Sequence, residues 1–296
     1  MMAKRKFTLS RKKYAWAKNR DVALKGEPVR VNDVWAKRKA KAVEKEVRAM
    51  HLDISKTVKR VYDGELAKDV IQDIAMDASL TSQVRITLNA LAKKWNKRFN
   101  LFSKSFSADL MQEVAALSGS DLNKSLEKLS GGVRIDADTI SDTTREIIKA
   151  STQQSTSLVK SISQDYISEV QEGLMRAIVS PGGSFTEAKN TIDKLLSSRY
   201  KKYRNKAKNT TLDQIRKAYS GITDNRMRDV GVEEYEWVHS GGSVDPRDYH
   251  KNVLNGGVFS LDKPPVINPK TGERGHPGDE IGCKCFKRPI VRFGKK

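Results

Sequence analysis

The sequence predicts a mainly α-helical protein with long helices, a small loop-rich α+β lobe at the C-terminus and a basic, flexible arm at the N-terminus. No proline lies between Pro28 and Pro181, although six of the eight prolines and nine of the nineteen glycines fall in residues 241–296. Residues 1–20 carry eight Lys/Arg and no acidic residue. Because helices exclude proline and turns need it, we predict an arm leading into a helix at 1–60, an extended helical body at 61–198 and a C-terminal domain at 199–296.

The N-terminal arm holds most of the excess charge of the chain, whose 56 Lys/Arg and 36 Asp/Glu give a net charge of +20. The net charge is +13 in residues 1–60, +2 in 61–236 and +5 in 237–296. Like charges repel one another and resist compaction, and cations bind phosphates without reading base sequence. We predict that the arm binds nucleic acid through Lys4, Arg5, Lys6, Arg11, Lys12 and Lys13. The alternative is a charged tail that only keeps the chain soluble.

Apolar periodicity predicts the long helices. One stripe recurs about every 3.7 residues, close to the pitch of a straight helix, and comprises Val84, Leu88, Leu91, Trp95, Phe99, Phe102, Phe106, Leu110, Val114 and Leu117. We expect this stripe to pack in a core. A second helix is predicted from the Ser141-Asp142 cap to Val179, before the break at residues 180–183.

The region after the break combines a capping box with a basic run. Ser184 and Glu187 predict the start of a short helix, and a further helix is predicted from Thr211 to Asp229, ending at Gly231. Between them, residues 199–208 hold six basic groups and no acid. We predict a second nucleic-acid contact there, through Arg199, Lys201, Lys202 and Arg204.

The C-terminal lobe (residues 235–296) is predicted to contain short strands at 235–239, after Gly256-Gly257 and at 283–286. It also holds three of the four histidines and both cysteines. Cys-x-Cys makes a poor disulfide but a workable pair of metal ligands. The predicted zinc ligands are His250, His276, Cys283 and Cys285.

Two alternatives remain for these residues. The cysteines can be reduced thiols packed as small apolar groups, with histidines that make ordinary hydrogen bonds. Alternatively, His250, Asn255 and His276 with a divalent metal are similar to the His-Asn-His pattern of nucleases, in which a histidine activates water.

A set of motifs in residues 200–290 resembles the phage Mu protein F-like family of minor head proteins, also called phage head morphogenesis proteins. The motifs are a Trp at 237, Arg-x-x-His at 247–250, Leu-Asn-Gly at 254–256, Pro-Gly at 277–278 and Cys-Lys-Cys at 283–285. They occur in the order typical of the family. We take Trp237, Arg247, Gly256 and Pro277 as the residues that carry the resemblance outside the proposed ligands. The sequence departs from the family at Gly282, where Asn is usual, and at Lys284, where Arg is usual.

The resemblance implies a low-copy structural protein inside the head of a tailed bacteriophage, near the portal vertex. Its implied partners are the portal protein, other head or scaffold proteins and double-stranded DNA, and its implied role is in head assembly, DNA packaging or DNA delivery. A structural role predicts no catalytic residues. The alternative function is a metal-dependent nuclease or a toxin-like enzyme that uses the His/Cys cluster.

Other classes of protein fit the sequence poorly. No apolar run approaches the roughly 20 residues of a membrane helix, and the N-terminus lacks the apolar segment of a signal peptide. We therefore expect a soluble protein made in the host cytoplasm, with no membrane partner. A host nucleoid or RNA-binding protein needs a repeated basic face, which the net charge of +2 over residues 61–236 argues against.

Overall fold

A computed structural model describes residues 22–62, 80–127, 129, 140–179, 185–241 and 247–293. These residues form two compact units. One, the helical bundle, comprises residues 37–108 and 153–211; the other, the sheet unit, comprises residues up to 36, 109–152 and from 212 onward. The units cut across the domain boundaries expected at residues 60 and 198, because each long helix is continuous and contributes to both units.

Four long helices account for most of the described chain. They are α1 (Asp33–Tyr62), α2 (Leu80–Glu127), α3 (Asp142–Val179) and α4 (Phe185–Asp229). The prediction of a mainly α-helical protein with a small C-terminal α+β lobe is therefore confirmed. The predicted stripe lies on α2, and α3 begins at the predicted cap, where Ser141 Oγ accepts a hydrogen bond from the Thr144 N–H at 3.2 Å.

Helix α4 is longer than the sequence predicts. A short helix and a second helix from Thr211 were expected, but α4 continues without interruption across the basic run. Lys and Arg are good helix formers, and the run contains neither proline nor glycine. Ion pairs between this part of α4 and α3, described below, compensate part of its charge. Ser184 lies outside the described residues, so the capping box is not observed.

Contacts within the bundle pair the helices in a ring. Helix α1 meets α2 through Glu46 and Arg98 at 2.7 Å, and α2 meets α3 through the hydroxyls of Ser107 and Ser155 at 3.0 Å. Helices α3 and α4 are joined by the ion pair between Asp165 and Lys206, and α4 returns to α1 where Asp193 bonds Lys59. The buried apolar side chains of all four helices point into this ring, and they include Val47, Met50, Ile54, Leu88, Trp95, Phe99, Ile162, Tyr166, Leu174, Leu196 and Tyr203.

The sheet unit contains a four-stranded antiparallel sheet and a small hairpin. The strands are β1 (Val22–Lys25), β2 (Glu234–Val238), β3 (Val258–Ser260), β4 (Val266–Asn268), β5 (Glu273–Arg274) and β6 (Phe286–Phe293). The sheet has the order β1-β6-β2-β3, and β4 pairs with β5. The strand at 235–239 and the strand after Gly256-Gly257 are observed as β2 and β3. The last strand begins only at Phe286, so both cysteines lie in the turn that precedes it.

The strand β1 lies in a segment that was predicted to be part of the basic arm. Its residues pair with β6, with Val22 opposite Phe293 and Lys25 opposite Ile290. The chain then continues through Val29, whose N–H bonds the carbonyl of Lys287 at 2.8 Å. Residues 22–62 are therefore folded strand, connection and helix, and of the predicted arm only residues 1–21 lie outside the described residues.

Candidate metal centre

Three predicted ligands meet at one point of the C-terminal lobe. His250 opens a π-helical turn (His250–Leu254), Cys283 ends the turn after Gly282, and Cys285 immediately precedes β6. The Nδ1 atom of His250 lies 3.6 Å from Cys283 Sγ and 3.8 Å from Cys285 Sγ. All three ligand atoms lie within 4.8 Å of one another, so the group can hold a metal ion.

Contacts of the second ring nitrogen of His250, Nε2, orient the imidazole ring so that Nδ1 lies toward the cysteines. Its Nε2 atom lies 3.0 Å from the carbonyl oxygen of Ile267 and 3.1 Å from a carboxylate oxygen of Glu280. The carbonyl of Ile267 can only accept a hydrogen bond, so the proton of a neutral ring belongs on Nε2, and Nδ1 is the ring nitrogen that would bind a metal ion. Arg247 in turn bonds Glu280 at 3.1 Å and the carbonyl of Ile281 at 2.8 Å, which holds the acceptor in place.

The electrostatics of the group favour one thiolate. The hydrogen bond from Cys285 and the contact with His250 together lower the pKa of Cys283 to about 4, against the opposing effect of burial. The same bond, together with burial, raises the pKa of Cys285. Burial lowers the pKa of His250, but the hydrogen bond with Cys283 and the charge of its thiolate outweigh that effect, so the net shift is upward. One sulfur is thus ready as a ligand, and metal binding must displace the proton held by the other.

The four residues that carry the family resemblance have structural roles around the group. Trp237 is fully buried, and its ring meets that of His250 edge-on with centroids 5.2 Å apart. Gly256 has a φ of 82° and donates its N–H to the carbonyl of Trp237 at 2.8 Å. Arg247 holds Glu280, as described above, and the carbonyl of Pro277 accepts a hydrogen bond from Ser220 at 2.7 Å.

The structure also explains one departure from the family. Gly282 has a φ of 73°, in the left-handed region. Glycine adopts this conformation without strain, and Asn is among the few other residues that tolerate it. Glycine at this position is therefore compatible with the turn that ends at Cys283. Nothing in the structure explains Lys284 in place of Arg.

His276 does not join the predicted ligand set. Its Nδ1 lies 3.0 Å from the hydroxyl of Tyr235, and its Nε2 lies 3.9 Å from a carboxylate oxygen of Asp224. Burial and the charge of Lys287 lower its pKa to about 4, so the ring is neutral near neutral pH. His276 was predicted as a ligand because it is near the cysteines in sequence, but in the fold its ring lies beside Tyr235 of β2 and Asp224 of α4.

A buried ion pair that was not predicted from the sequence lies next to His276. Lys287 on β6 bonds Asp224 on α4 and donates a second hydrogen bond to Ser220 at 2.6 Å. Both charged residues are only 3% exposed. Burial raises the pKa of Asp224, and the charge of Lys287 offsets part of that rise. Neither residue lies in a motif, and β6 carries three basic residues, so its sequence does not mark Lys287 as a buried one.

The residues of the nuclease alternative are engaged in other bonds. Asn255 accepts a hydrogen bond from the backbone N–H of His239 at 2.8 Å, and His276 is held by Tyr235. Within the described residues, the group able to hold a metal contains His250 and the two cysteines but neither Asn255 nor His276.

A cavity of about 600 Å³ lies within the sheet unit, and Cys285 forms part of its wall. Its charged lining is largely paired internally: Arg216 with Asp33 at 3.4 Å, and Lys124 with Asp121 at 3.9 Å. Cys285 is half-buried, whereas His250 and Cys283 are only 2% and 3% exposed. The group is therefore largely closed.

The predicted nucleic-acid contacts on α4 divide into two pairs. Arg199 and Lys202 form ion pairs with Glu169 of α3, at 3.2 and 2.5 Å, so they help to hold the bundle together. Lys201 and Arg204 are exposed. The contacts predicted for Lys4, Arg5, Lys6, Arg11, Lys12 and Lys13 lie outside the described residues.

Comparisons with known proteins identify no family. No family model matches the chain, and no solved structure matches it. A protein of Haemophilus influenzae, described as uncharacterized, is 25% identical over 151 residues, which cover 49% of this chain and 30% of that protein's length. The matched region is thus less than a third of the relative. Among the described helices, none is long and apolar enough to cross a membrane.

Proposed function

We propose that the protein is a minor head protein of a tailed bacteriophage, situated inside the procapsid and head near the portal vertex. In this role it assists head assembly, DNA packaging or DNA delivery through contacts with the portal, other head or scaffold proteins and DNA. The basis is the resemblance to the Mu F-like family in residues 200–290.

One observation carries the proposal: the residues that resemble the family converge on one structural group. Trp237 and Arg247 support His250 from two sides, directly and through Glu280, and Gly256 is bonded to Trp237. A chance match of short motifs gives no reason for these residues to meet. Their convergence supports a shared lobe, and a closed lobe supports an assembly role over catalysis.

We further propose that the metal held by the group is zinc in a structural role. Zinc–sulfur bonds of about 2.3 Å and a zinc–nitrogen bond of about 2.0–2.1 Å, at the tetrahedral angle, place N and S about 3.6 Å apart. The distances of 3.6 and 3.8 Å from His250 Nδ1 to the two sulfurs match that separation. Two cysteines and a histidine form a donor set that zinc prefers, and the acceptors on His250 Nε2 are the partners that zinc-binding histidines use.

The DNA contact is assigned to the N-terminal arm. Residues 1–20 carry eight basic groups without an acid, and each phosphate they neutralise releases a counterion. Because β1 begins at Val22, removing residues 1–21 leaves every described element intact, whereas a longer deletion removes a strand of the sheet. The expected result of the short deletion is weaker, less salt-dependent DNA binding with unchanged association with the portal.

Quantitative mass spectrometry of purified procapsids and virions tests the assembly role. The phage that encodes the chain is induced, and the copy number of this protein is measured relative to the portal. A few copies per particle, and co-purification with the portal, is the expected result. As controls, His250→Ala is expected to reduce incorporation and His239→Ala, a half-buried histidine of the same lobe that lies outside the metal-binding group, to leave it unchanged. Absence of the wild-type chain from both particles would overturn the proposal.

A further inference from the structure

The charge of the described chain is concentrated in the helical bundle. The four bundle segments, 37–62, 80–108, 153–179 and 185–211, carry 25 Lys/Arg and 8 Asp/Glu, a net charge of +17. The described residues of the sheet unit carry 18 Lys/Arg and 19 Asp/Glu, a net charge of −1. The net charge of residues 61–236 is therefore small because basic segments of the bundle and acidic segments outside it cancel in the sum.

Six of these 25 basic residues lie on one side of the bundle, which we term the α1/α4 face. Its exposed residues are Lys41, Lys45, Arg48, Lys201, Arg204 and Lys208. The contacts between the two helices set their alignment: His51 stacks on Tyr200 with ring centroids 4.4 Å apart, and Lys59 bonds Asp193 at 3.1 Å. The helices are therefore antiparallel, and one turn away from the stacked rings Arg48 lies opposite Arg204.

The cations of the α1/α4 face lack compensation. None of the six forms an ion pair with an acidic group in the part of the chain that the structure describes; Arg204 contacts only the ring of Tyr200, 5.9 Å from its centroid. In the same two segments, Glu44, Glu46, Asp53 and Asp193 are half-buried. Glu46, Asp53 and Asp193 are already bonded to Arg98, Lys94 and Lys59. The other basic side of α4 differs, because Arg199, Lys202 and Lys206 are bonded to acids of α3.

We infer that the α1/α4 face is a second, folded binding surface for the phosphate backbone of double-stranded DNA, distinct from the N-terminal arm. Two antiparallel rows of cations on helices about 8–10 Å apart match a partner with regularly spaced negative charges on both sides of a groove. A face without base-reading side chains binds without sequence preference. The inference does not require incorporation into a phage head.

The structural argument favours DNA over an anionic membrane. Membrane-binding helices combine basic residues with a broad apolar face that enters the lipid, and the apolar faces of α1 and α4 are buried in the bundle core. Among the outward-facing residues of the two described segments, Leu52 is the large apolar side chain that is exposed. The α1/α4 face is therefore positively charged but has no broad apolar surface that could enter a lipid bilayer.

The test compares two variants of the full chain that lose equal charge. One replaces Arg48, Arg204 and Lys208 with Gln on the α1/α4 face, and the other replaces Lys251, Lys263 and Lys270, three exposed lysines of the C-terminal lobe, with Gln. Affinity for a 20-base-pair duplex is measured by fluorescence anisotropy between 50 and 200 mM salt. Far-ultraviolet circular dichroism and the thermal transition verify that both variants are folded.

We expect only the first variant, which lacks cations of the α1/α4 face, to lose affinity for the DNA duplex. Each lost phosphate contact lowers the slope of log K against log salt by about 0.9, so the α1/α4 variant is expected to lose about 2–3 from the slope and at least tenfold in affinity at 100 mM salt. The lobe variant is expected to bind like the wild type. Equal losses in both variants, or no loss in either, would overturn the inference. Tighter binding to phosphatidylglycerol vesicles than to DNA, abolished in the first variant, would also overturn it.

Discussion

The helical bundle and the sheet unit are stabilised in different ways. The bundle buries apolar and aromatic side chains from four helices, including Trp95, Phe99 and Tyr166, and keeps most of its charges outside. The sheet unit has short strands and buries charged or metal-binding groups: Asp224, Lys287, His250 and Cys283. Burying such groups is unfavourable unless each finds its partner.

Because the two units are stabilised differently, different perturbations are expected to destabilise each of them. The stability of the bundle depends on buried apolar side chains. It is therefore expected to fall when a core side chain is truncated and to be unaffected by removal of metal. The C-terminal lobe depends on a few specific polar bonds and, by our proposal, on zinc, so it is expected to respond to chelation and to single charge deletions. The bundle also carries a net charge of +17 in its described segments, against −1 in those of the sheet unit, so salt acts on the two units differently.

Removal of the proposed zinc is expected to have the largest effect and to separate the units most sharply. Structural zinc contributes on the order of 10 kcal/mol in small domains, so chelation or His250→Ala is expected to unfold the C-terminal lobe. Metal content is measured by mass spectrometry of the native protein, and lobe folding by the fluorescence of Trp237 and by proteolysis. His239→Ala is the control. A wild-type protein that purifies with no metal, or a lobe equally stable without it, would contradict the zinc proposal.

A core truncation in the bundle is the converse test. Phe99 is fully buried among the helices, and Phe99→Ala is expected to cost about 3–5 kcal/mol through lost burial and the cavity that remains. Helical ellipticity during urea unfolding measures this loss. Metal content is expected to remain at the wild-type level, since no ligand lies in the bundle. Leu101→Ala, an exposed apolar position on the same helix, is the matched control, with an expected change below about 0.5 kcal/mol.

Variants of the buried ion pair between Lys287 and Asp224 test how far the sheet unit depends on specific polar bonds. Lys287→Met leaves Asp224 buried without its counter-charge and is expected to cost about 3 kcal/mol. Adding Asp224→Leu removes the orphaned charge, so the double variant is expected to regain most of that loss. Chemical unfolding of the four proteins in this cycle gives the coupling energy. A double variant that is less stable than Lys287→Met would show that the polar pair itself is required.

The smallest expected effect is the pH dependence of the bundle at His51. Burial lowers the pKa of this histidine below its usual 6.5, with a further contribution from Lys59, while Tyr166 and Ser55 bond its Nδ1. The unfolded chain therefore binds the proton more readily, and His51 is expected to cost the bundle stability as pH falls below about 6.5 and to have no effect above it. Urea unfolding at pH 7.5 and 5.0 is compared with that of His51→Gln, which is expected to lose less stability at pH 5.0 than the wild type. An identical pH dependence in both proteins would contradict this assignment.

Helices α2 and α3 and three of the four predicted ligands follow from the sequence alone. Helix α2 follows from a stripe with a step of about 3.7 residues and α3 from its Ser141 cap, because helical periodicity and capping are local properties of the chain. His250, Cys283 and Cys285 were identified because soft metal ligands are rare in this sequence and cluster in one lobe.

Which side chains come into contact, in contrast, depends on the tertiary structure. His276 is bonded to Tyr235, and Arg199 and Lys202 are bonded to Glu169, because the tertiary packing joins residues thirty or more positions apart. The same packing gathers the basic segments of α1, α2 and α4 into one bundle, which a running total of charge along the chain averages away. Periodicity and capping depend on neighbours along the chain, whereas ligand sets, ion pairs and charged faces depend on neighbours in space.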